Sequence, residues 1–372
     1  MDNYIAKTFQ EIGLQPLNGT YFQSFSFPVN TFPNQMELKI GDKQLVPGVD
    51  FIVNEASGKG TNTTNFQTLG VTELYTGKYS FSKLDKNKVF FFRNIGYGGD
   101  TLAKVKESLV KIAKYTPVIE VTDKKFTWSV SSTAYNFPFI HVQESAFKTC
   151  FVSNTTSVSY AIDAKVKSHT ARNVFGYLPA TKKSKKTILI TAHYDHLGRM
   201  GTATYFPGAN DNASGNAMLI SLAEKFKAKG LKNYNLLFVA FAGEEIGLLG
   251  SSYMTTHPPL DLKNIQFLLN LDIMGSGEEG ITVVNATLFP EEFSRLETIN
   301  KEKNFLTQIK KRGPAANSDH YFFTEAGVPA FYIYTMGPNK HYHDIYDTYQ
   351  ELSFSAFGNL SNLLEVFFRE MK

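Results

Sequence analysis

The 372-residue sequence contains a single cysteine, Cys150, a single tryptophan and only 19% charged side chains. One cysteine cannot close an intrachain disulfide, and with no activating neighbour in sequence Cys150 reads as a small buried hydrophobe rather than a nucleophile. No apolar run approaches the roughly 18 residues that a membrane helix requires, so no span is expected. The formal charge is +4, and like charges gather only in short clusters such as "KKSKK". Neither a nucleic-acid surface nor a membrane-binding surface is therefore expected. Low charge combined with 14% aromatic residues excludes a disordered chain, and the length suffices for two or three domains with a sizeable core. The opening "MDNYIAKTFQEIGL" sets Ile5, Phe9 and Ile12 at helical spacing, unlike a secretory signal. A signal removed ahead of this numbering stays open, and a secreted or periplasmic location is favoured over a cytoplasmic one.

Two textures divide the chain. From about residue 187 onward, apolar runs alternate with helical patterns: "TILITAH", a helix with apolar positions 218, 219, 222, 223 and 226, then "NLLFVAF", "IQFLLNLD" and "ITVVNA". The "SDHYFFTEAG" helix, "PAFYIYT" and a closing helix over about 354–371 follow. Continuous apolar strands between helices predict an α/β fold, a mainly parallel mixed sheet flanked by helices. Between about 34 and 156 the pieces are β-rich ("MELKI", "VFFFRNI", "PVIEV", "FTWSV", "FPFIHV"), broken by Gly, Asn and Lys clusters, with one helix in "DTLAKVKESLVKIAKY". The expected organisation is a main domain over 1–35 and 157–372 and a smaller β-rich domain inserted over 36–156. "TYFQSFSF" and "SVSYAIDAKV" flank the insert and alternate apolar with polar, as edge strands of the main sheet would.

In open α/β sheets ligands bind beyond the carboxyl ends of strands, so polar residues that end apolar runs are the first candidates. His193 and Asp195 end one run, Glu244 and Glu245 a second, and Asp272 a third. Asp211 opens a helix in "PGANDNASG", and His343 follows "AFYIYT". Singly, each has a plainer reading: a helix cap for Asp211, a solvated loop for the paired glutamates, a turn cap for Asp272, hydrogen-bonded structural imidazoles for the histidines. As a set gathered in one cleft, three carboxylates and two imidazoles would repel and desolvate one another unless cations compensate them. Mixed His and carboxylate ligation suits zinc. The charges of Asp211, Glu245 and Asp272 plus a bridging hydroxide match two divalent ions, with Asp211 the best bridge. His193 and Asp195 point the same way on an extended segment, so Asp195 is expected to hold the second imidazole nitrogen. Asp347 is expected to do the same for His343.

The ordered stretches "AHYDHLG", "PGANDNASG", "FAGEEIGLLGS", "NLDIMG", "SDHYFFTEAGVPA" and "YHDIYDT" resemble the motifs of the co-catalytic dizinc aminopeptidases, the group of bacterial leucyl aminopeptidases and glutamate carboxypeptidase-like enzymes. The resemblance runs from about 173 to 352, and the insert resembles a protease-associated domain. It implies one Zn2+ on His193 and Asp272, a second on Glu245 and His343, Asp211 bridging, and Glu244 as general base toward the metal-bridged water. Tyr342 falls where some members place a tyrosine that stabilises the tetrahedral intermediate. His196, His320 and His341 match no ligand position and read as structural or cleft-lining. The implied activity is release of N-terminal residues from peptides with a free amino terminus. The alternatives are a glutamate-type carboxypeptidase or a glutaminyl-cyclase-like enzyme, for which Arg199 and Arg312 are the nearest carboxylate-binding candidates, and a non-catalytic binding homologue. Oligomeric state and side-chain preference are not legible.

Overall fold

A computed structural model describes residues 1–34 and 36–371. The main sheet has eight strands, in spatial order Phe22–Thr31, Lys165–Leu178, Asn235–Phe241, Thr187–His193, Ile265–Leu271, Ala330–Thr335, Ile281–Val284 and Ile309–Lys311. The four central strands, from Asn235–Phe241 to Ala330–Thr335, run parallel, while the two at the N-terminal edge pair antiparallel. This is the mixed α/β sheet that the alternation of apolar runs and helices predicts.

The continuous apolar runs follow from burial on both faces. All of Asn235–Phe241 is buried, with Leu236, Phe238 and Ala240 packing on one face and Leu237, Val239 and Phe241 on the other. The first face is covered by helices Asp2–Ile12, Gly215–Ala228, Pro290–Lys303 and Phe357–Arg369, through Phe9, Leu222, Phe293 and Leu364. The second is covered by Leu249–Thr256 and His320–Glu325, through Met254 and Phe323. Each large apolar side chain so buried contributes about 1.5–3 kcal/mol. Gly176 permits the N-terminal helix to approach: a Cβ there would meet Leu14 Cδ1 at 2.6 Å and Phe9 Cδ2 at 2.7 Å. Among the described residues no helix is long and apolar enough to cross a membrane.

A second eight-stranded sheet has the order Lys43–Gln44, Glu37–Ile40, Ser157–Ile162, Gly60–Gln67, Val89–Asn94, Val118–Thr122, Phe139–Gln143, Phe51–Val53. Two sequence expectations are corrected here. "SVSYAI" is not an edge strand of the main sheet; Ser157–Ile162 pairs with Glu37–Ile40 and Gly60–Gln67 in the second sheet. Its alternating burial fits an exposed face in either sheet, so the pattern alone could not choose. "FTWSV" is not a strand: residues 126–130 run as irregular backbone, with Trp128 5% exposed. The strand Gly60–Gln67, "GTNTTNFQ", went unrecognised because only Phe66 in it is both apolar and buried. Cys150 is half-buried, packed at the rim of the second core, with its thiol donating to the Ala146 carbonyl.

The second core does not stop at its own sheet. Leu197, Met200 and Phe206, from the loop that follows His193, belong to it, and Trp128 stacks on Phe206 at 4.7 Å between ring centroids. Phe22–Thr31 pairs along its whole length with residues 165–174, so the entire second sheet is inserted between two neighbouring strands of the first.

Candidate metal centre

The central parallel strands deliver the candidate residues to one end of the main sheet. His193 ends its strand, Glu244 and Glu245 follow Phe241 by a short turn, and Asp272 follows Leu271 directly. Asp211 comes from the segment before helix Gly215–Ala228, and the Asp211–Asn212 peptide bond is cis. His343 lies on the loop after Ala330–Thr335 and adopts a left-handed φ of 52°.

The five proposed ligands form two groups that share one carboxylate. His193 Nε2 lies 3.3 Å from Asp211 Oδ1 and 3.4 Å from Asp272 Oδ1. His343 Nε2 lies 3.1 Å from Asp211 Oδ2 and 3.1 Å from Glu245 Oε2. Atoms bound tetrahedrally to zinc at about 2.0–2.1 Å sit about 3.3 Å from one another, so the imidazole–carboxylate distances in both groups match those between ligands of one zinc ion. Ligand atoms of His193, Glu244 and Asp272 also fall within 4.8 Å of one another, which puts Glu244 at the edge of the first group.

Both imidazoles are held by main-chain oxygens. His193 Nδ1 donates to the Asp195 carbonyl at 3.1 Å, and His343 Nδ1 donates to the Trp128 carbonyl at 2.9 Å. A donor role at Nδ1 leaves each Nε2 facing the carboxylates, so that loss of its proton to an incoming cation gives the tautomer a metal requires. The side chains expected to do this have other tasks. The Asp195 carboxylate, 3.8 Å from His193 Nδ1, accepts the N–H of Glu244 at 3.2 Å and of Glu245 at 3.3 Å. Asp347 does not pair with His343; its two oxygens accept the N–H of Asn210 at 2.9 Å and of Asp211 at 3.0 Å. Each carboxylate thus clamps the backbone that carries a candidate ligand. We expect Asp347→Ala to weaken zinc retention about 10–100-fold, checked by competition with a chromophoric chelator; unchanged retention would reject the clamp.

His196, read from the sequence as structural or cleft-lining, reaches Glu245 Oε1 through its Nδ1 at 2.8 Å. Sequence reasoning missed other groups. A buried chain runs from Thr191 Oγ1 to Asn270 Oδ1 (2.7 Å), from Asn270 Nδ2 to Ser318 Oγ (2.8 Å), and from Ser318 Oγ to Asp272 Oδ2 (3.0 Å). Ser318 was inside a quoted motif, whereas Trp128 offered no signal, lying 215 residues from His343. Tyr342 stacks flat on His343, with centroids 3.9 Å apart. His320 is 1% exposed and packs near Tyr332; burial takes its pKa down to about 4, so the ring is neutral. His341 binds Asp344 in the loop. Arg199 lines a cavity at the seam between the two sheets, and Arg312 donates to Tyr334 Oη.

The electrostatics express an excess of buried carboxylate. Burial pushes Asp195 up to about 6 and Asp319 up to about 7, and burial together with Asp319, Asp272 and Glu245 raises Glu244 well above the ordinary range against the pull of His193. His343, despite a burial effect in the opposite direction, is raised to about 10 by Asp211 and Glu245. The carboxylates demand positive charge that protons supply until a cation does. Donor type, spacing and charge therefore all fit divalent ions held by His193, Asp211, Glu245, Asp272 and His343.

Residues 173–367, just over half of the chain, match peptidase family M28. The chain belongs to peptidase family M28. The M28 segment contains Glu244 and all five candidate ligands, but not Trp128. A Bacillus subtilis (strain 168) relative, aminopeptidase YwaD, is 32% identical over 171 residues, which cover 43% of this chain and 35% of that protein. A probable leucine aminopeptidase of Trichophyton verrucosum is 29% identical over 200 residues, covering 51% of this chain and 55% of that one. The matches thus span a third to about half of these curated relatives. Among solved structures, BSAP, a zinc aminopeptidase from Bacillus subtilis, superposes with a TM-score of 0.69 at 19% identity, over 99% of this chain and 87% of that one. The aminopeptidase from Aneurinibacillus sp. strain AM-1 gives 0.64 at 21% identity, over 98% and 86%. These likenesses establish that the fold, second sheet included, is shared.

Proposed function

We propose that this M28 member is a zinc-dependent aminopeptidase that uses two zinc ions, with His193 and Asp272 on one, Glu245 and His343 on the other, and Asp211 between them. The observation that carries this reading is the division of Asp211: one oxygen faces each imidazole, and each imidazole faces a further carboxylate. Names of M28 relatives, a B. subtilis aminopeptidase and a fungal probable leucine aminopeptidase, support the reaction class. When bound, the ions supply Lewis acidity and bring a coordinated water toward neutral pKa.

The chain's own residues do the remainder. Glu244 accepts the proton of the attacking water at its carboxylate and returns it to the leaving amine, a task suited to a carboxyl whose environment raises its basicity. Asp195 holds the backbone of both glutamates, so that Glu245 stays a ligand while Glu244 faces the substrate. Tyr342, 48% exposed beside His343, donates its hydroxyl to the developing oxyanion. The surplus of carboxylates favours a substrate with a free ammonium group. The second sheet, inserted between two paired strands of the main one, is a protease-associated-type domain.

The test is a side-by-side assay of L-leucine p-nitroanilide and N-acyl-glutamyl peptides, with zinc counted per chain. Hydrolysis of the free-amino substrate at close to two zinc ions is expected. Preference for the blocked substrate, or less than one ion per chain after reconstitution, would overturn the reading.

A further inference from the structure

The second sheet carries a polar cavity that the metal centre does not use. Its strands Val89–Asn94, Val118–Thr122 and Phe139–Gln143 are parallel, and Phe90, Phe92, Val118 and Phe139 pack with Val105, Leu109 and Ile112 of the helix Gly99–Ile112. Two residues further along each strand the same face turns polar, at Asn94, Glu120 and His141. A cavity of about 310 Å³ opens there, at the carboxyl ends of parallel strands, where α/β sheets bind ligands. The volume falls at the lower end of the range for small-molecule sites, about 300–1,000 Å³.

Charge is distributed unevenly within it. Glu120, 3% exposed, accepts Asn94 Nδ2 at 2.7 Å and lies 3.0 Å from His141 Nδ1. Burial works against its charge, but His141, Asn94 and Lys106 outweigh burial and keep the carboxyl below the ordinary range, so Glu120 stays ionised beside His141. Asn94 is also 3% exposed, and its Oδ1 has no hydrogen-bond partner, an uncommon condition for a buried acceptor. Lys106 and Lys124, both exposed, lie at the mouth, and Ile52 and Phe126 supply apolar wall. The Glu120 carboxylate and a free acceptor at the floor, with Glu55 a second carboxylate in the lining, lysines at the rim and apolar wall between them complement a zwitterion.

We propose that this cavity binds a free α-amino acid, its ammonium group toward Glu120 and Asn94 Oδ1 and its carboxylate between Lys106 and Lys124. The segment that leaves the cavity makes the site consequential. Thr122, Lys124 and Phe126 line it; Lys125 pairs with Asp344 at 2.5 Å and donates to the Lys340 carbonyl at 2.6 Å. Trp128 then donates its N–H to the His343 carbonyl at 2.8 Å and accepts His343 Nδ1 at 2.9 Å. A ligand that orders this segment steadies His343, a consequence that rests on the metal-centre reading, whereas the binding itself does not.

The experiment is titration calorimetry of L-leucine, then of the other standard amino acids, into the zinc-loaded full chain with its metal centre saturated by leucine hydroxamate. One saturable site per chain is expected. Leucinamide, which lacks the carboxylate, and N-acetyl-leucine, which lacks the ammonium group, should each bind at least about tenfold more weakly, as loss of one charge-assisted contact predicts. Glu120→Gln and, at the exposed rim, Lys124→Glu should do the same, the latter with an unchanged melting temperature. Absence of binding by every amino acid, or wild-type affinity in both Lys106→Glu and Lys124→Glu, would overturn the proposal. Failure of the metal-centre reading is seen separately, in zinc content and hydrolysis.

Discussion

Replacement of Glu244 by glutamine is expected to lower turnover of L-leucine p-nitroanilide about 10²–10⁴-fold, the range for a lost general base, while zinc content stays at the wild-type level. The substitution keeps the side-chain volume and a hydrogen-bonding oxygen but removes the proton-accepting carboxylate. Glu244 is positioned through its own N–H on Asp195, a contact that glutamine retains, so the variant should fold and hold metal. The loss should fall on kcat, because the proton moves only in the chemical step. Parallel measurements of kcat, KM and zinc content decide the matter. Full activity would remove Glu244 from the base role, and loss of zinc would make it a ligand, as its proximity to His193 and Asp272 allows.

Metal removal is expected to have the larger effect. Dialysis against a chelator should reduce hydrolysis by at least about 10⁴-fold, the consequence of forfeiting several kcal/mol of transition-state charge stabilisation at about 1.36 kcal/mol per decade. Added zinc should restore it. The melting temperature should fall as well, because ions that bind only the folded chain contribute about 4 kcal/mol when present at a thousand times their dissociation constant. Within the site, the side chains of Asp211, Glu245 and Asp272 are at least nine-tenths buried, and without cations they are compensated mainly by protons on His193 and His343, with contacts from His196 to Glu245 and from Ser318 to Asp272. Asp211→Ala should reproduce the loss of activity without reversal by zinc, since both groups share that residue. A chelated protein with unchanged activity and melting temperature would overturn the dizinc reading.

The main sheet was legible because its strands are buried on both faces and its helices repeat their apolar positions: Met218, Leu219, Leu222, Ala223 and Phe226 are all buried, as their spacing demands. The second sheet was less legible. Gly60–Gln67 has a mainly polar sequence and is stabilised by pairing, from Gly60 to Asn65, with Ser157–Ile162, a contact between segments far apart in the chain. "FTWSV" has strand composition but spends its hydrogen bonds elsewhere: Trp128 bonds main chain to main chain with His343, and its indole donates to the Val53 carbonyl at 2.8 Å.

By itself, the sequence determined the apolar strands, the polar residues that end them, and a candidate ligand set of His193, Asp211, Glu245, Asp272 and His343, with Glu244 beside it, whose chemistry suits divalent cations. These are local properties, written in side-chain type and position. Only the tertiary structure decided what steadies that donor set: the Asp195 carboxylate on the backbone of the paired glutamates, Asp347 on the backbone of Asp211 rather than on His343, and the Trp128 carbonyl on His343. The physical reason is that every one of these contacts uses a main-chain N–H or C=O. Almost every residue carries the same two groups, so no pattern of side chains can mark which of them the fold will recruit.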